Sequence, residues 1–125
     1  MIASQRPKYL DLIKIRLPVP GFVSILHRIS GAALFLFAGV LLYLFQESLQ
    51  SPDSYIRFRA IADHWWMKLF LTGMLWALLH HLFAGLRHLL LDLDVLADLK
   101  PARATSWAVL GAGLLLTLAL GVCIW

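Results

Sequence analysis

Two short stretches of this sequence concentrate residue types that can bind a cofactor or a redox-active ligand. The first, SILHR, spans residues 24–28, and the second, HHLFAGLRH, spans residues 80–88. Both lie inside or beside long apolar runs, and an ionisable side chain at membrane depth is a candidate functional residue because it is costly there. An arginine at the centre of a membrane helix costs about 2.5–3.5 kcal/mol on insertion scales, and less near an end.

Helical spacing separates the histidines of the second stretch. His81 and His88 are two turns apart and share a face, whereas His80 points about 100° away. Four small residues lie at helical spacings from His81: Gly73, Ala77, Ala84 and Gly85. They predict a groove in which a flat macrocycle brings its iron to His81, with Arg87 and His88 at the depth of its propionates. In the alternative, the small residues pack helices and the cations extend to the headgroups.

The first stretch places a hydroxyl, an imidazole and a guanidinium on one helix face. Ser24, His27, Arg28 and Gly31 are spaced by three, four and seven positions. A hydroxyl beside a guanidinium suits a ligand whose carbonyl oxygen becomes anionic on reduction, and a quinone head group is such a ligand. The alternative is that Ser24 caps the start of the helix and Arg28 extends to the headgroups.

Long apolar segments must position both stretches. The chain has 125 residues and is 61% hydrophobic but only 14% charged, whereas soluble domains carry about 25% charged residues. Three windows, 29–46, 69–86 and 104–125, lack Asp, Glu, Lys and Arg, and each is long enough for a membrane-spanning helix. We predict an all-α, three-helix membrane bundle forming one membrane-anchor domain over 1–125. The expected helices are about 22–47, 65–91 and 103–125, and a cytoplasmic tail over 1–20 precedes the first of them. The first helix is expected to be an uncleaved membrane anchor.

The basic residues predict the orientation of this bundle in the membrane. Eight lysines and arginines fall on one side and three on the other, so the richer side, which holds the N-terminus, should be cytoplasmic. The richer side comprises Arg6, Lys8, Lys14, Arg16, Arg28, Arg87, Lys100 and Arg103, and the other comprises Arg57, Arg59 and Lys68. This distribution explains the net charge of +4 by topology rather than by binding to nucleic acid. The single cysteine, Cys123, is interpreted as helix filler.

The connections carry weaker signals. Ser51, Pro52 and Asp53 predict a turn in the outer loop, and the segment 55–66 that follows is a candidate short interfacial helix. Gly113, Thr117 and Gly121 recur at four-residue spacing in the third apolar segment. Such small residues predict a helix-packing face.

Three features together resemble the cytochrome b large membrane-anchor subunits of succinate dehydrogenase (succinate:quinone oxidoreductase, respiratory complex II). The segment 6–31 is similar to the family's N-terminal Arg-Pro followed by Ser-x-x-His-Arg-x-Ser/Thr-Gly, and it reads RPKYLDLIKIRLPVPGFVSILHRISG. HLFAGLRHLLLD, residues 81–92, matches His-x-x-x-Gly-x-Arg-His-x-x-x-Asp. The three-helix plan fits as well, and the resemblance covers essentially the whole chain.

The resemblance implies roles position by position. His81 corresponds to the axial ligand of haem b, although the doubled histidine leaves His80 as an alternative ligand. Ser24 and Arg28 correspond to the residues that contact the ubiquinone head group. His27, Arg28 and His88 match positions near the haem propionates. Gly85, Arg87 and Asp92 complete the second motif, with Asp92 at the membrane surface by the iron–sulfur subunit.

The function implied is that of a membrane-anchor cytochrome b subunit which passes electrons into quinone. The resemblance implies four partners: a flavoprotein that oxidises succinate, an iron–sulfur subunit, a second small hydrophobic subunit that supplies the other axial histidine, and membrane lipid. It also implies a bacterial inner membrane location, with no succinate-oxidising site in this chain. Two alternatives stay open, namely the anchor of a fumarate reductase working in reverse, and a haem-free structural anchor or transporter subunit.

Overall fold

The computed structural model describes residues 17–96 and 98–125, which form four helices and no strands. They are α1 (Val19–Gln50), α2 (Pro52–Ala62), α3 (Trp65–Asp92) and α4 (Leu99–Ile124). The predicted all-α fold with three spans is confirmed, because α1, α3 and α4 are long and apolar enough to cross a membrane. Most of the predicted cytoplasmic tail, residues 1–16, lies outside the described residues.

Helix α1 begins earlier than its apolar run suggests. Pro18 precedes the first helical residue and Pro20 lies in the first turn, where proline is tolerated because the first backbone N–H groups have no partner within the helix. Ser24 therefore lies inside the helix, more than a turn beyond its start. The capping alternative for Ser24 is wrong, because the residue that precedes the first helical residue is Pro18.

The predicted turn at residues 51–53 is the start of helix α2. The Ser51 hydroxyl accepts a hydrogen bond from the Ser54 backbone N–H at 3.1 Å, and the Ser54 hydroxyl accepts one from the Ser51 N–H at 2.9 Å. Pro52 occupies the first helical position. Serine and proline favour turns and helix starts for the same backbone reasons. The predicted turn is therefore reduced to Ser51, which separates α1 from α2, and the expected short helix begins at Pro52 rather than near Tyr55.

Helix α2 is held against α1 by a pair of opposite charges. Glu47 is buried near the end of α1, and its Oε2 accepts hydrogen bonds from Nε of Arg57 at 3.3 Å and from Nη2 at 3.2 Å. The sequence pattern does not predict this pair between Glu47 and Arg57. At the start of α3, exposed Asp63 pairs with Arg59 at 3.6 Å and with Lys68 at 3.7 Å.

The three spans pack as a triangle in which each long helix contacts the other two. Val23, Ala84 and Val109, one from each span, form a buried core. The outward surface is strongly apolar, and Phe35, for example, is 86% exposed. Such a surface is expected where the surroundings are hydrocarbon rather than water.

The predicted small-residue face of α4 is only partly used inside the bundle. Gly113 lies against the backbone of α3, since a Cβ added to it would lie 3.6 Å from Cα of His80. Thr117 is buried and donates to the Gly113 carbonyl at 2.7 Å. Gly121 has no atom near the position of a Cβ, so that end of the face is open.

Candidate functional site

His81 packs against α1 at a position that only glycine can occupy. A Cβ added to Gly31 would lie 2.7 Å from Cε1 of His81 and 3.1 Å from its Nδ1. Both distances are shorter than carbon and nitrogen atoms tolerate without moving apart. The absence of a side chain at Gly31 is therefore what lets the imidazole lie against the backbone of α1.

A hydrogen bond to α1 fixes the orientation of the His81 ring. Its Nδ1 lies 3.0 Å from the His27 carbonyl oxygen, and Ser30 donates to the same carbonyl at 2.9 Å. Because a carbonyl oxygen only accepts, Nδ1 must carry the proton. The neutral imidazole then holds its lone pair on Nε2. Metal-ligating histidines are commonly oriented by this kind of bond from the other ring nitrogen.

Three histidines from two helices form one cluster. The rings of His27 and His81 are stacked with centroids 4.2 Å apart and planes 11° apart, and His88 lies at 5.1 Å from His27 with a 48° tilt. Gly85 lies beside this cluster, since a Cβ there would lie 3.4 Å from Nε2 of His27, which is ordinary van der Waals contact. All three histidines are half-buried.

Ser24 and Arg28 flank the cluster on α1. They are four residues apart and therefore lie on one face of the helix, with His27 between them in the chain. Ser24 is half-buried and Arg28 is exposed. The site thus presents a hydroxyl, a cation and an oriented imidazole at the same end of α1.

His80 lies on the other side of α3. It is fully buried, and its ring stacks on Trp76 with centroids 5.1 Å apart and planes 18° apart. Neither ring nitrogen has a hydrogen-bond partner among the described residues. Since His80 faces the interior of the bundle and His81 faces α1, only His81 is placed to meet a ligand outside the chain.

The predicted groove around His81 is wrong in its composition. Ala77 and Ala84 are buried in the bundle on the same face as His80, and Gly73 is exposed with no atom near it. Both alanines are three or four positions from His80 as well as from His81, so spacing alone could not assign them. Of the four small residues only Gly85 lies beside the histidine cluster.

The decisive small residue is instead Gly31 on the neighbouring helix. Helical spacing places Gly31 on the face of His27 but predicts no role for it. A signal was present, because Ser30 and Gly31 follow His27 by three and four positions and so lie over it on the helix.

Arg87 and Asp92 lie apart from the cluster. Arg87 is only 4% exposed, and it donates from Nε to the Thr105 hydroxyl at 3.2 Å and from Nη2 to the Ala102 carbonyl at 3.1 Å. It joins α3 to α4. Arg87 therefore lies at nearly the same depth as His88, but its side chain points toward α4 and away from the histidine cluster. Asp92 is the exposed last residue of α3.

Comparisons with known proteins show the family to which the chain belongs. Residues 3–120 match the family of succinate dehydrogenase/fumarate reductase transmembrane subunits. The chain is 37% identical over 123 residues to the succinate dehydrogenase cytochrome b556 subunit of Coxiella burnetii, covering 98% of each chain. It is 34% identical over 113 residues to the b556 subunit of Paracoccus denitrificans, covering 89% of this chain and 85% of that one. The chain belongs to the succinate dehydrogenase/fumarate reductase transmembrane subunit family.

Proposed function

We propose that this chain binds haem b together with a second small hydrophobic subunit and forms part of a ubiquinone-reduction site. Electrons from succinate would arrive through a flavoprotein and an iron–sulfur subunit. The observation that carries the proposal is the bond between His81 Nδ1 and the His27 carbonyl, because it leaves Nε2 as a ligand nitrogen held in one direction. We further propose a bacterial inner membrane location with the N-terminus in the cytoplasm, on the basis of the basic residues.

The residues of the cluster fit a haem. His81 supplies an oriented imidazole, Gly31 supplies the space that it needs, and His27, Arg28 and His88 supply polar or cationic groups for propionates. Once bound, haem b supplies one-electron redox chemistry at a potential set by its axial ligands and burial. Among the half-buried histidines, His81 is the one with a described hydrogen bond that fixes its ring, so it would hold the haem from this chain, and the partner subunit would supply any second ligand.

Ser24 and Arg28 suit the head group of a quinone. The Ser24 hydroxyl is in a position to donate a hydrogen bond to a carbonyl oxygen, since it lies inside α1 and caps nothing. The guanidinium of Arg28, one turn away and exposed, stabilises negative charge as it develops on that oxygen.

Replacing Arg28 tests the quinone site. In Arg28→Leu we expect quinone reduction by succinate to fall at least about a hundredfold, as is typical when one stabilising donor is lost. Succinate oxidation with a soluble artificial acceptor should persist, because no group of the flavoprotein is touched. Both rates are measured on the same purified complex.

Two controls keep this test specific. Arg103→Leu removes an exposed arginine of α4 and should leave both rates near wild type. Equal loss of both activities in Arg28→Leu would contradict the proposal and indicate failed assembly.

The fumarate reductase alternative shares these residues and differs in quinone potential, and the relatives named above are succinate dehydrogenase subunits. The unbroken spans do not support a transporter site, which typically uses broken helices.

A further inference from the structure

A buried serine contacts both ends of the hydrogen bond that fixes the His81 imidazole. Ser30 is 2% exposed and immediately precedes Gly31, the residue at which His81 approaches α1. Its Oγ lies 2.9 Å from the His27 carbonyl oxygen and 3.4 Å from Nδ1 of His81. A change at Ser30 therefore acts on this hydrogen bond directly.

The His27 carbonyl oxygen is shared by several donors. It accepts from Nδ1 of His81 at 3.0 Å and from the Ser30 hydroxyl at 2.9 Å. The α-helix adds the backbone N–H of Gly31, four residues further along α1. A carbonyl oxygen has two lone pairs, so these donors compete for it. The Ser30 hydroxyl therefore limits how strongly the carbonyl accepts from Nδ1–H.

The Ser30 oxygen replaces little of what its hydroxyl takes from the carbonyl. Its 3.4 Å separation from Nδ1 of His81 is longer than the about 2.7–3.2 Å of a normal N–H···O hydrogen bond. The His27 carbonyl is thus the main acceptor for Nδ1–H. A strong acceptor at this position makes an imidazole a better electron donor to a metal, so the Ser30 hydroxyl lowers the electron donation of His81.

We infer that Ser30 is a positioning residue that raises the reduction potential of the haem held by His81. The inference rests on the proposed function, in which His81 is the haem ligand. Hydrogen bonding to an axial ligand is one of the means by which a protein sets a haem potential. An imidazole that donates less electron density stabilises oxidised iron less, and the reduced form is favoured.

An ordinary helix serine is the alternative interpretation of Ser30. Serine hydroxyls inside helices often donate to a carbonyl of the preceding turn, and Ser48 donates to the Phe45 carbonyl at 2.7 Å. Phe45 lies roughly 27 Å along α1 from His27. Ser48→Ala therefore removes the same local bond far from the histidines and is a matched control.

A redox titration of the purified complex, followed by haem absorbance, tests the inference. In Ser30→Ala we expect the haem content per complex to stay near wild type, because the bond from His81 to the His27 carbonyl remains. The reduction potential should fall. At a fixed applied potential, the ratio of oxidised to reduced haem should rise roughly threefold to tenfold, the effect of about one hydrogen bond. Ser48→Ala should keep the wild-type potential.

A conservative variant separates the hydroxyl from the change in volume. Ser30→Thr keeps a hydroxyl that can donate to the same carbonyl, so its potential should stay at the wild-type value. An unchanged or higher potential in Ser30→Ala would overturn the inference, and so would an equal fall in Ser30→Thr and Ser30→Ala. Failure of the proposed function is a different result, namely a wild-type complex without haem or full haem content in His81→Phe.

Discussion

At the scale of single residues, the site depends on a side chain that is absent. Gly31 has an ordinary helical backbone, so its value is not conformational freedom but the space it leaves for His81. The imidazole then reaches the His27 carbonyl, which selects the tautomer with a free Nε2. A glycine, a carbonyl group and a serine hydroxyl thus orient the imidazole that we propose as the haem ligand.

Gly31→Ala should impair haem binding. The added methyl group would lie 2.7 Å from Cε1 of His81, so the ring must turn away and lose its bond to His27. We expect the haem content per assembled complex to fall several-fold, measured by haem absorbance against protein. Gly39→Ala is the matched control, because that glycine lies on the same helix with no atom near its Cβ position. Equal haem contents in the two variants would refute the role assigned to Gly31.

The neighbouring histidines should separate cleanly on substitution. His81→Phe should lose haem almost completely, since phenylalanine has no ligand nitrogen. His80→Phe should keep haem and unfold at the same or a higher temperature, because it keeps an aromatic ring against Trp76 and removes two unpartnered buried nitrogens. An unsatisfied buried polar group costs about 1–3 kcal/mol. Haem loss in His80→Phe would show that His80 is needed for haem binding and would contradict the assignment of His81 as the ligand.

At the scale of elements, helix α3 has two faces with different surroundings, one toward α1 and one toward the interior of the bundle. His81, Gly85 and His88 face the α1 side, while His80, Ala84 and Arg87 lie on the adjacent face that is buried in the bundle. The two sets are offset by one residue, or about 100° around the helix. This offset places the candidate redox site and the hydrogen bonds from Arg87 to α4 on different sides of the same element.

The cap of α2 should control the stability of that short helix. An isolated helix of this length is marginal, so Ser51→Ala, which removes the acceptor for the Ser54 N–H, should cost about 1 kcal/mol. We expect the backbone amides of residues 53–62 to exchange about fivefold faster in a hydrogen-exchange measurement. Ser48→Ala removes a serine that donates only to its own helix and should leave exchange in α2 unchanged. Slow exchange in Ser51→Ala would mean that the Glu47–Arg57 pair alone holds α2.

At the scale of the whole molecule, three crossings separate the two chain ends. Helix α2 has 11 residues and, at about 1.5 Å per residue, is too short to span roughly 30 Å of hydrocarbon. With three spans the N-terminus and Trp125 lie on opposite sides of the membrane. The excess of lysine and arginine near the N-terminal side predicts which side that is.

Reporter fusions test this orientation in cells. Alkaline phosphatase fused after Trp125 should be active, because the enzyme folds only outside the cytoplasm, while the same enzyme fused after Asp94 should be inactive. Western blots confirm equal expression. The reverse pattern of activities would place the N-terminus outside and would also move Ser24 and Arg28 away from cytoplasmic protons.

The sequence by itself determined the elements and the identity of the reactive groups. The charge-free windows predicted the three spans because hydrocarbon forces backbone groups to pair within a helix. The two motifs predicted His27, His81 and His88 as a set, and the structure brings these three together. Spacing along one helix also showed that His80 and His81 diverge.

Only the tertiary structure decided which neighbours those groups meet. With 3.6 residues per turn, Ala77 and Ala84 are three or four positions from both His80 and His81. Helical spacing therefore cannot assign them to one histidine, and the packing of α3 against the other helices decides it. In the same way, Arg87 could have joined His88 but bonds α4, and Gly31 gained its role only because α3 crosses α1 at that point. Periodicity fixes a direction around one helix, whereas the packing of separate helices fixes what lies in that direction.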